Sequence, residues 1–256
     1  MANSHLPVAI IGAGPVGLAA ASHLVLRGLK PIIFERGASV GASLLEWSHV
    51  RVFSPWEYNI DGAARTLLLG TGWEEPEPTA LPTGGEIVER YLRPLAELPA
   101  IGTALRLGAK VTAVTRKGLD KVSNAGRAEA PFELRWTDAD GVEQATLARA
   151  VIDASGTWTQ PNPMGVDGLP VRGERAVADL VTYGIPDVAG GERDRFAGRT
   201  TLVVGSGHSA INAALALLSV QDDAPDTKIL WALRRSRLER GCGTASARAA
   251  TESEPA

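Results

Sequence analysis

Residues 8–36 limit the possible folds of this chain more than any other stretch. Val8-Ala9-Ile10-Ile11 is an apolar run of strand length, followed by Gly12-Ala13-Gly14-Pro15-Val16-Gly17 and an alanine- and leucine-rich run to Leu26. A break at Gly28 leads to Pro31-Ile32-Ile33-Phe34 and then to Glu35. The order is strand, glycine turn, helix, strand, acid. Gly12 allows the tight turn off the strand, Gly14 leaves its backbone open to close approach, and Gly17 lets the helix pack against the sheet. The unpaired N–H groups at the helix start favour an anion. Glu35 lies about 20 residues on, where a carboxylate accepts both hydroxyls of an adenosine ribose. Together these features predict a βαβ unit that binds a dinucleotide through its pyrophosphate. A tight βαβ turn that binds nothing would leave the carboxylate at the end of the second strand unexplained.

The pattern occurs twice. Thr200-Thr201-Leu202-Val203-Val204 is a second apolar strand, and Gly205-Ser206-Gly207-His208-Ser209-Ala210 is a GxGxxA turn. Ile211, Ala214, Leu215 and Leu218 then mark a helix, and Lys228-Ile229-Leu230-Trp231-Ala232-Leu233 a strand that ends in Arg234-Arg235. The two units differ where the second strand stops. A carboxylate accepts ribose hydroxyls and repels a 2′-phosphate, whereas an arginine binds it. The first unit is therefore expected to prefer a free ribose and the second NADP. One inward-pointing arginine would contribute ~1.5–3 kcal/mol, roughly 10- to 150-fold in favour of NADPH over NADH. Two solvated arginines at a strand end are the alternative.

Between the units, residues 45–56 are rich in tryptophan and hydroxyls without a clear period, as in a loop over a ligand. Arg51 is placed to reach a pyrophosphate and Ser54 to donate to one; a solvated arginine and a turn serine are the plainer readings. His49 has no metal-ligand spacing and reads as structural. Three prolines make 72–83 irregular. Thr83 with Glu86 predicts a capping box, opening a helix that buries Ile87, Val88, Tyr91 and Leu92 and is bent or interrupted at Pro94. From 109 to 150 the alternation of Lys110-Val111-Thr112-Ala113-Val114-Thr115 and Phe132-Glu133-Leu134-Arg135-Trp136, with a turn at Asp138-Ala139-Asp140-Gly141, predicts an antiparallel meander. Val151-Ile152-Asp153-Ala154-Ser155-Gly156-Thr157 reads as a buried strand running into a small-residue turn that a ligand can approach.

The fold class is therefore α/β: a Rossmann-type domain over 1–160 with an inserted meander, a linker over 161–198, a partial second Rossmann-type unit over 199–240 and a disordered tail over 241–256. A net charge of −3 gives no reason to expect nucleic acid or an acidic membrane surface. A single cysteine, Cys242, excludes a disulfide framework, a CxxC pair or a cysteine zinc site, and no metal site is expected. The short polar N-terminus has no signal-peptide pattern and no apolar run approaches a membrane span, so the expected location is cytoplasmic.

Two glycine motifs, with a meander and a small-residue strand between them, resemble the two-dinucleotide-binding-domain flavoproteins over roughly residues 6–240. The resemblance makes the first unit an FAD site, with Gly12, Gly14, Pro15, Gly17 and Glu35, joined by Arg36, Arg51, Ser155 and Gly156. It makes the second an NADP(H) site, with Gly205, Gly207, Ser209, Ala210, Arg234 and Arg235. Asp153-Ala154-Ser155-Gly156-Thr157 is similar to the ATG-type motif where that family leaves its FAD domain. The tryptophan-rich loop and the Gly205 motif are most similar to the flavin-containing monooxygenase-like branch. That branch implies hydride transfer from NADPH to the flavin, then oxygen transfer to a small nitrogen or sulfur nucleophile. The flavin carries this chemistry, so no catalytic side chain is assigned.

The chain departs from the pattern in three places. Residues 168–187 hold no histidine where Baeyer–Villiger and N-hydroxylating members carry an FxGxxxHxxxW-type stretch. The second unit stops soon after Arg240, and the tail beyond it is small and polar, so a truncated or frame-shifted product is the expectation, or a short form completed by a partner. One βαβ unit cannot cover both faces of its sheet, so the second unit should be marginal alone, and its strand edge leaves room for a homo-oligomer or for aggregation. A flavoprotein reductase without oxygenation, or a non-catalytic dinucleotide-binding remnant, stays open beside the monooxygenase reading.

Overall fold

A computed structural model describes residues 3–122 and 124–233. The chain divides into two compact units, the first ending at Asp187 and the second beginning at Val188. The boundary falls inside the stretch expected to be linker.

In the first unit, β1 (Val8–Ile11), α1 (Pro15–Leu26) and β2 (Pro31–Phe34) form the expected βαβ. Short helices follow: α2 (Ala42–Leu45), α3 (Trp56–Asn59), α4 (Gly62–Leu68), α5 (Gly84–Ile87), a single π-helical turn over Val88–Leu92, α6 (Arg93–Glu97) and α7 (Pro99–Gly102). Then come β3 (Leu105–Arg106), β4 (Lys110–Arg116), β5 (Phe132–Thr137), β6 (Glu143–Ala148) and β7 (Ala150–Asp153). The parallel sheet has the order β3-β2-β1-β7, and β4-β5-β6 is a separate antiparallel meander. Alternation sorts the parallel strands by face. Ile10, Ile33 and Ile152 point to the helices, into the cluster of Leu18, Trp56, Leu68, Tyr91 and Leu95. Ala9, Phe34 and Val151 point to the meander, against Leu134, Ala148 and Trp136. The sheet is thus covered on both faces, as a parallel sheet requires. β7 lies at its edge, which leaves Val151 and Ile152 half-buried rather than fully buried as expected.

The capping box forms as expected. The Thr83 hydroxyl accepts from the Glu86 N–H at 3.1 Å and the Glu86 carboxylate from the Thr83 N–H at 2.7 Å. Ile87, Val88, Tyr91 and Leu92 are all buried behind it. Pro94 does not break the helix; the turn before it widens to π geometry. A proline has no N–H for the carbonyl four residues back, and here the Trp73 indole Nε1–H donates to that Arg90 carbonyl at 2.7 Å. At Asp138–Gly141 the turn closes as expected, with Gly141 at φ 79° and Asp138 accepting from Asp140 and Val142.

Residues 161–187 are organised by a buried carboxylate. Glu174 accepts from the Val171 N–H at 2.7 Å, the Met164 N–H at 3.1 Å and the Tyr183 hydroxyl.

In the second unit, β8 (Thr200–Val204), α8 (His208–Asp223) and β9 (Lys228–Ala232) form another parallel βαβ, the strands aligned Val203↔Trp231 and Val204↔Ala232. Its core is small: among the described residues Val188, Val203, Leu217 and Val220 form its buried cluster, with Ile229 and Ala210 against them. α8 packs on Ala214, Leu217 and Val220, while Leu215 and Leu218, expected on the apolar face, are half exposed. Leu202 and Leu230, opposed in register on the sheet face away from α8, are also exposed. Among the described residues no helix is long and apolar enough to cross a membrane. Arg234, Arg235 and the tail from 241 lie outside the described residues.

Candidate functional site

The first glycine turn is shaped by two close approaches. Gly12 has φ 100°, and a Cβ there would lie 2.6 Å from the Ala154 carbonyl oxygen. A Cβ on Gly17 would lie 2.0 Å from the Gly12 carbonyl oxygen. α1 therefore seats directly on the turn, and the turn seats on the 154–155 segment that follows β7. Gly14 is different: among the described residues a Cβ there meets nothing within 4 Å. Its place is open, at the N-cap of a helix with Pro15 in its first turn, no side-chain cap and no acid in that turn. The contrast with α4 and α5 is informative. Those helices carry side-chain caps, Asp61 and Thr83. α8 repeats the pattern of α1, with Gly207 as N-cap and neither side-chain cap nor acid. At both N-caps the place of a Cβ is open among the described residues.

Glu35 is buried, and its carboxylate has two backbone partners: Oε2 accepts from Ala13 N–H at 2.8 Å and Oε1 from Gly37 N–H at 2.8 Å. Each oxygen keeps acceptor capacity, since an ionised carboxylate has about four lone-pair positions. The carboxylate thus pins the glycine turn to the end of β2. Arg36 is exposed beside it. Beyond β7, Ser155 gives both its N–H (3.0 Å) and its hydroxyl (2.6 Å) to Asp153 Oδ1. These bonds hold the Asp153 carboxyl below its ordinary range, the hydroxyl contributing most. Gly156 follows with φ 68°.

Arg51 and Ser54 are spoken for. The Arg51 guanidinium donates to the Leu81 carbonyl and pairs with Glu86 at 3.7 Å, beside an isolated bridge to Thr83. Ser54 donates to Asn59 Oδ1 at 3.2 Å. The structure gives both a local role in tying the 50–54 segment to the 81–86 segment and to α3. Trp56, on the stretch expected to overlie a ligand, is instead in the core. His49 has the structural role expected: its Nε2 lies 3.1 Å from the Ile185 carbonyl, which can only accept, so that nitrogen carries the proton. Trp47 packs against Trp158, whose indole donates to Glu46 at 2.6 Å.

In the second unit Gly205 has φ 109°, and among the described residues no atom lies within 4 Å of a Cβ built on Gly205 or Gly207. Strand register aligns this unit with the first. Gly12 N–H donates to Phe34 O at 2.7 Å, and Gly205 N–H to Ala232 O at 3.0 Å. Gly205 therefore matches Gly12, Ala210 matches Gly17, and Leu233 matches Glu35. This corrects the expectation that Arg234 stands in the place of Glu35: a leucine does, and Arg234 comes one residue later, matched to Arg36. Ser209 is exposed on the first turn of α8, and Ala210 faces the small core. A further contact was not foreseen. The Trp231 indole Nε1–H donates to the Gly205 carbonyl at 2.7 Å.

Two glycine turns on parallel strands, one pinned by a buried carboxylate, define a chain of the two-dinucleotide-binding kind. Residues 9–224 match the family described as pyridine nucleotide-disulphide oxidoreductase, and the chain belongs to that family. Over 244 residues it is 23% identical to the flavin-containing monooxygenase ustF1 of Aspergillus flavus, covering 90% of this chain and 53% of that protein. The bacillithiol disulfide reductase Bdr (YpdA) of Bacillus cereus superposes with a TM-score of 0.62 at 19% identity, over 91% of this chain and 60% of that one. OTEMO, in a complex with FAD and NADP, superposes with a TM-score of 0.53 at 19% identity, over 85% of this chain and 38% of that one. The chain spans 53% of the length of its curated monooxygenase relative.

Proposed function

We propose that this chain forms the nucleotide-binding part of an FAD-dependent, NADPH-using oxidoreductase of the monooxygenase type. The observation that carries the reading is the first glycine turn: an open cradle at Gly14, uncapped helix N–H groups above it and the buried Glu35 carboxylate at the end of β2. These residues fit the adenosine pyrophosphate of FAD, with Gly12 and Gly17 shaping the turn, Glu35 accepting from the ribose, and Ser155-Gly156 flanking. FAD bound there would supply hydride acceptance and oxygen activation for transfer to a small nitrogen or sulfur nucleophile. The chain's own residues orient and shield. α1 offers unpaired N–H groups to the phosphates, the Ala154 carbonyl and Gly12 keep the turn rigid, and the buried parallel sheet keeps water from its floor.

In the second unit, Gly205, Gly207, Ser209 and Ala210 form the corresponding turn for NADPH. Leu233 in the place of Glu35 removes the carboxylate that would repel a 2′-phosphate, and Arg234 and Arg235 follow directly in sequence to bind it.

The test is the visible absorption spectrum of the purified chain, followed by anaerobic addition of NADPH. A flavin spectrum that bleaches is the expected result. A flavin spectrum that NADPH leaves unchanged removes the second half of the proposal, and a colourless protein that does not take up added FAD removes the first. A second reading, a flavoprotein reductase without oxygenation, is favoured by one observation: residues 168–187 contain no histidine. Measuring oxygen incorporation into an amine or thioether against simple NADPH oxidation separates the two.

A further inference from the structure

The two units hold equivalent turns by opposite means. In the first, the turn carbonyl of Gly12 is packed against Gly17, and the turn amide of Ala13 is held by an acceptor, Glu35. In the second, Ala210 stands where Gly17 stands, so α8 carries a Cβ at the point where α1 has none. Leu233 stands where Glu35 stands and offers no acceptor. The carbonyl of Gly205 is held instead by a donor from the neighbouring strand, the Trp231 indole at 2.7 Å. In-register neighbours on parallel strands share a face. Trp231 pairs with the buried Val203, and Ile229, two residues before it, packs into the same small core. The indole therefore rises on the α8 side of the sheet, at the carboxyl end of β9, beside the first turn of the helix. Ligands of open parallel sheets bind outside the carboxyl ends of the strands. Trp231 is 36% exposed although its N–H is satisfied, so the residue keeps open surface while its polar atom holds the turn.

We propose that Trp231 is the positioning residue of the second glycine turn and a wall of the adenosine subsite there, rather than a core tryptophan. The proposal rests on the dinucleotide reading of the second unit. Its hydrogen bond directs the Gly205 carbonyl toward β9, which turns the following N–H groups of the turn outward to the phosphates. Its exposed indole surface packs on the adenosine. The chain holds six tryptophans, and the other five, Trp47, Trp56, Trp73, Trp136 and Trp158, belong to the first unit. The indole of Trp231 is therefore a reporter confined to the second unit.

The test is a titration of the full chain with NADP+, with adenosine 2′,5′-bisphosphate and with nicotinamide mononucleotide, read by calorimetry and by tryptophan emission in wild type and W231F. We expect NADP+ and the bisphosphate to bind and quench, and the mononucleotide to leave the emission unchanged. W231F keeps an aromatic ring but loses the N–H. It should bind NADP+ roughly 2- to 13-fold more weakly, the range for one net hydrogen bond, and should lose the NADP+-dependent quench. Unchanged affinity in W231F, or a quench that survives the substitution, overturns the role of Trp231 and leaves the dinucleotide reading standing. Absence of any binding heat with wild type overturns the dinucleotide reading itself, and the proposal with it. Should W231F fail to fold, fluorotryptophan labelling of wild type decides the matter by fluorine NMR. One of the six resonances must shift with the bisphosphate, and binding heat without any shift overturns the proposal.

Discussion

Gly14 and Gly17 lie three residues apart in one turn, and the structure assigns them opposite sensitivities. A Cβ on Gly17 would sit 2.0 Å from the Gly12 carbonyl oxygen and 3.0 Å from its carbon. The obstacle is backbone, so it cannot swing aside, and α1 must retreat by more than an ångström. Overpacking of this kind costs ~1–3 kcal/mol, while replacing a helical glycine with alanine returns ~1 kcal/mol. With a rigid obstacle the steric cost falls at the top of its range, so G17A should lose about 2 kcal/mol net. For a unit of this size that is roughly 4–8 °C in melting temperature. G14A meets nothing within 4 Å and has an ordinary φ of −82°, so its fold should be as stable as wild type. Its effect should appear only with ligand. A methyl group in the cradle holds the pyrophosphate off the first-turn N–H groups, and one charge-assisted bond is worth ~1.5–3 kcal/mol, roughly 10- to 150-fold in affinity. Thermal unfolding and flavin titration of both variants read the two effects separately. A G14A chain that takes up FAD as tightly as wild type would refute the cradle. A G17A chain with unchanged melting would refute the seating of α1.

R234A and R235A, separately and together, should each cut the preference for NADPH over NADH, the effective one by roughly 10- to 150-fold; an unchanged ratio of kcat/KM values in the double variant discards the 2′-phosphate assignment. W73F should destabilise the first unit by ~0.5–1.5 kcal/mol, because the Arg90 carbonyl loses its donor. The cost should shrink in a P94A background, and an additive double-mutant cycle would show that the indole does not compensate for the proline. Glu174 should make residues 164–183 pH-sensitive at the acid side. The Tyr183 hydroxyl, then the Val171 and Met164 N–H groups, hold its carboxyl below the usual range. Its contribution is therefore present above the unfolded value of ~4.3 and lost as pH falls through the lower folded value. Limited proteolysis should cut this stretch in E174A at neutral pH and in wild type only at acid pH; identical cleavage of the two at neutral pH would remove Glu174 from the role. Amides of β8, α8 and β9 should exchange faster than those of β1 and β2, since four buried apolar residues hold the second core and sixteen the larger cluster of the first, and saturating NADP+ should slow them. Equal protection without nucleotide would show that the small core suffices.

What was readable in the sequence is what depends on near neighbours. The glycine spacing from Gly12 to Gly17, the Thr83–Glu86 box, and the turn at Asp138–Gly141 act within a few residues, and each appears as expected. The meander and the parallel strands follow from alternation and from runs of Val and Ile. Contacts across the chain were not readable. Arg51 had the charge for a phosphate, but Leu81 and Glu86, some 30 residues away, claim it. Leu215 and Leu218 fit the helical period of α8, yet the face that packs runs through Ala214, Leu217 and Val220, because the two described strands of its sheet cover only part of an apolar helix. The π turn before Pro94 needed a donor from Trp73, which no local pattern announces.

The comparison of Glu35 with Leu233 shows why strand register, rather than motif spacing, decides how the two units differ. Between glycine turn and strand end the units have helices of different length, 12 residues in α1 and 16 in α8, so counting along the chain cannot match their residues. The hydrogen bonds from Gly12 to Phe34 and from Gly205 to Ala232 can. Once matched, a charged acceptor faces an apolar side chain. In the first unit the turn is braced by a carboxylate that favours ribose hydroxyls and disfavours a further phosphate. In the second, bracing falls to a neutral indole on the opposite backbone group, which places no negative charge at the strand end. A single fold repeated in one chain thus acquires two electrostatic characters through the residue that braces each turn. On the proposed reading, that is what lets one chain hold two different dinucleotides without exchanging them.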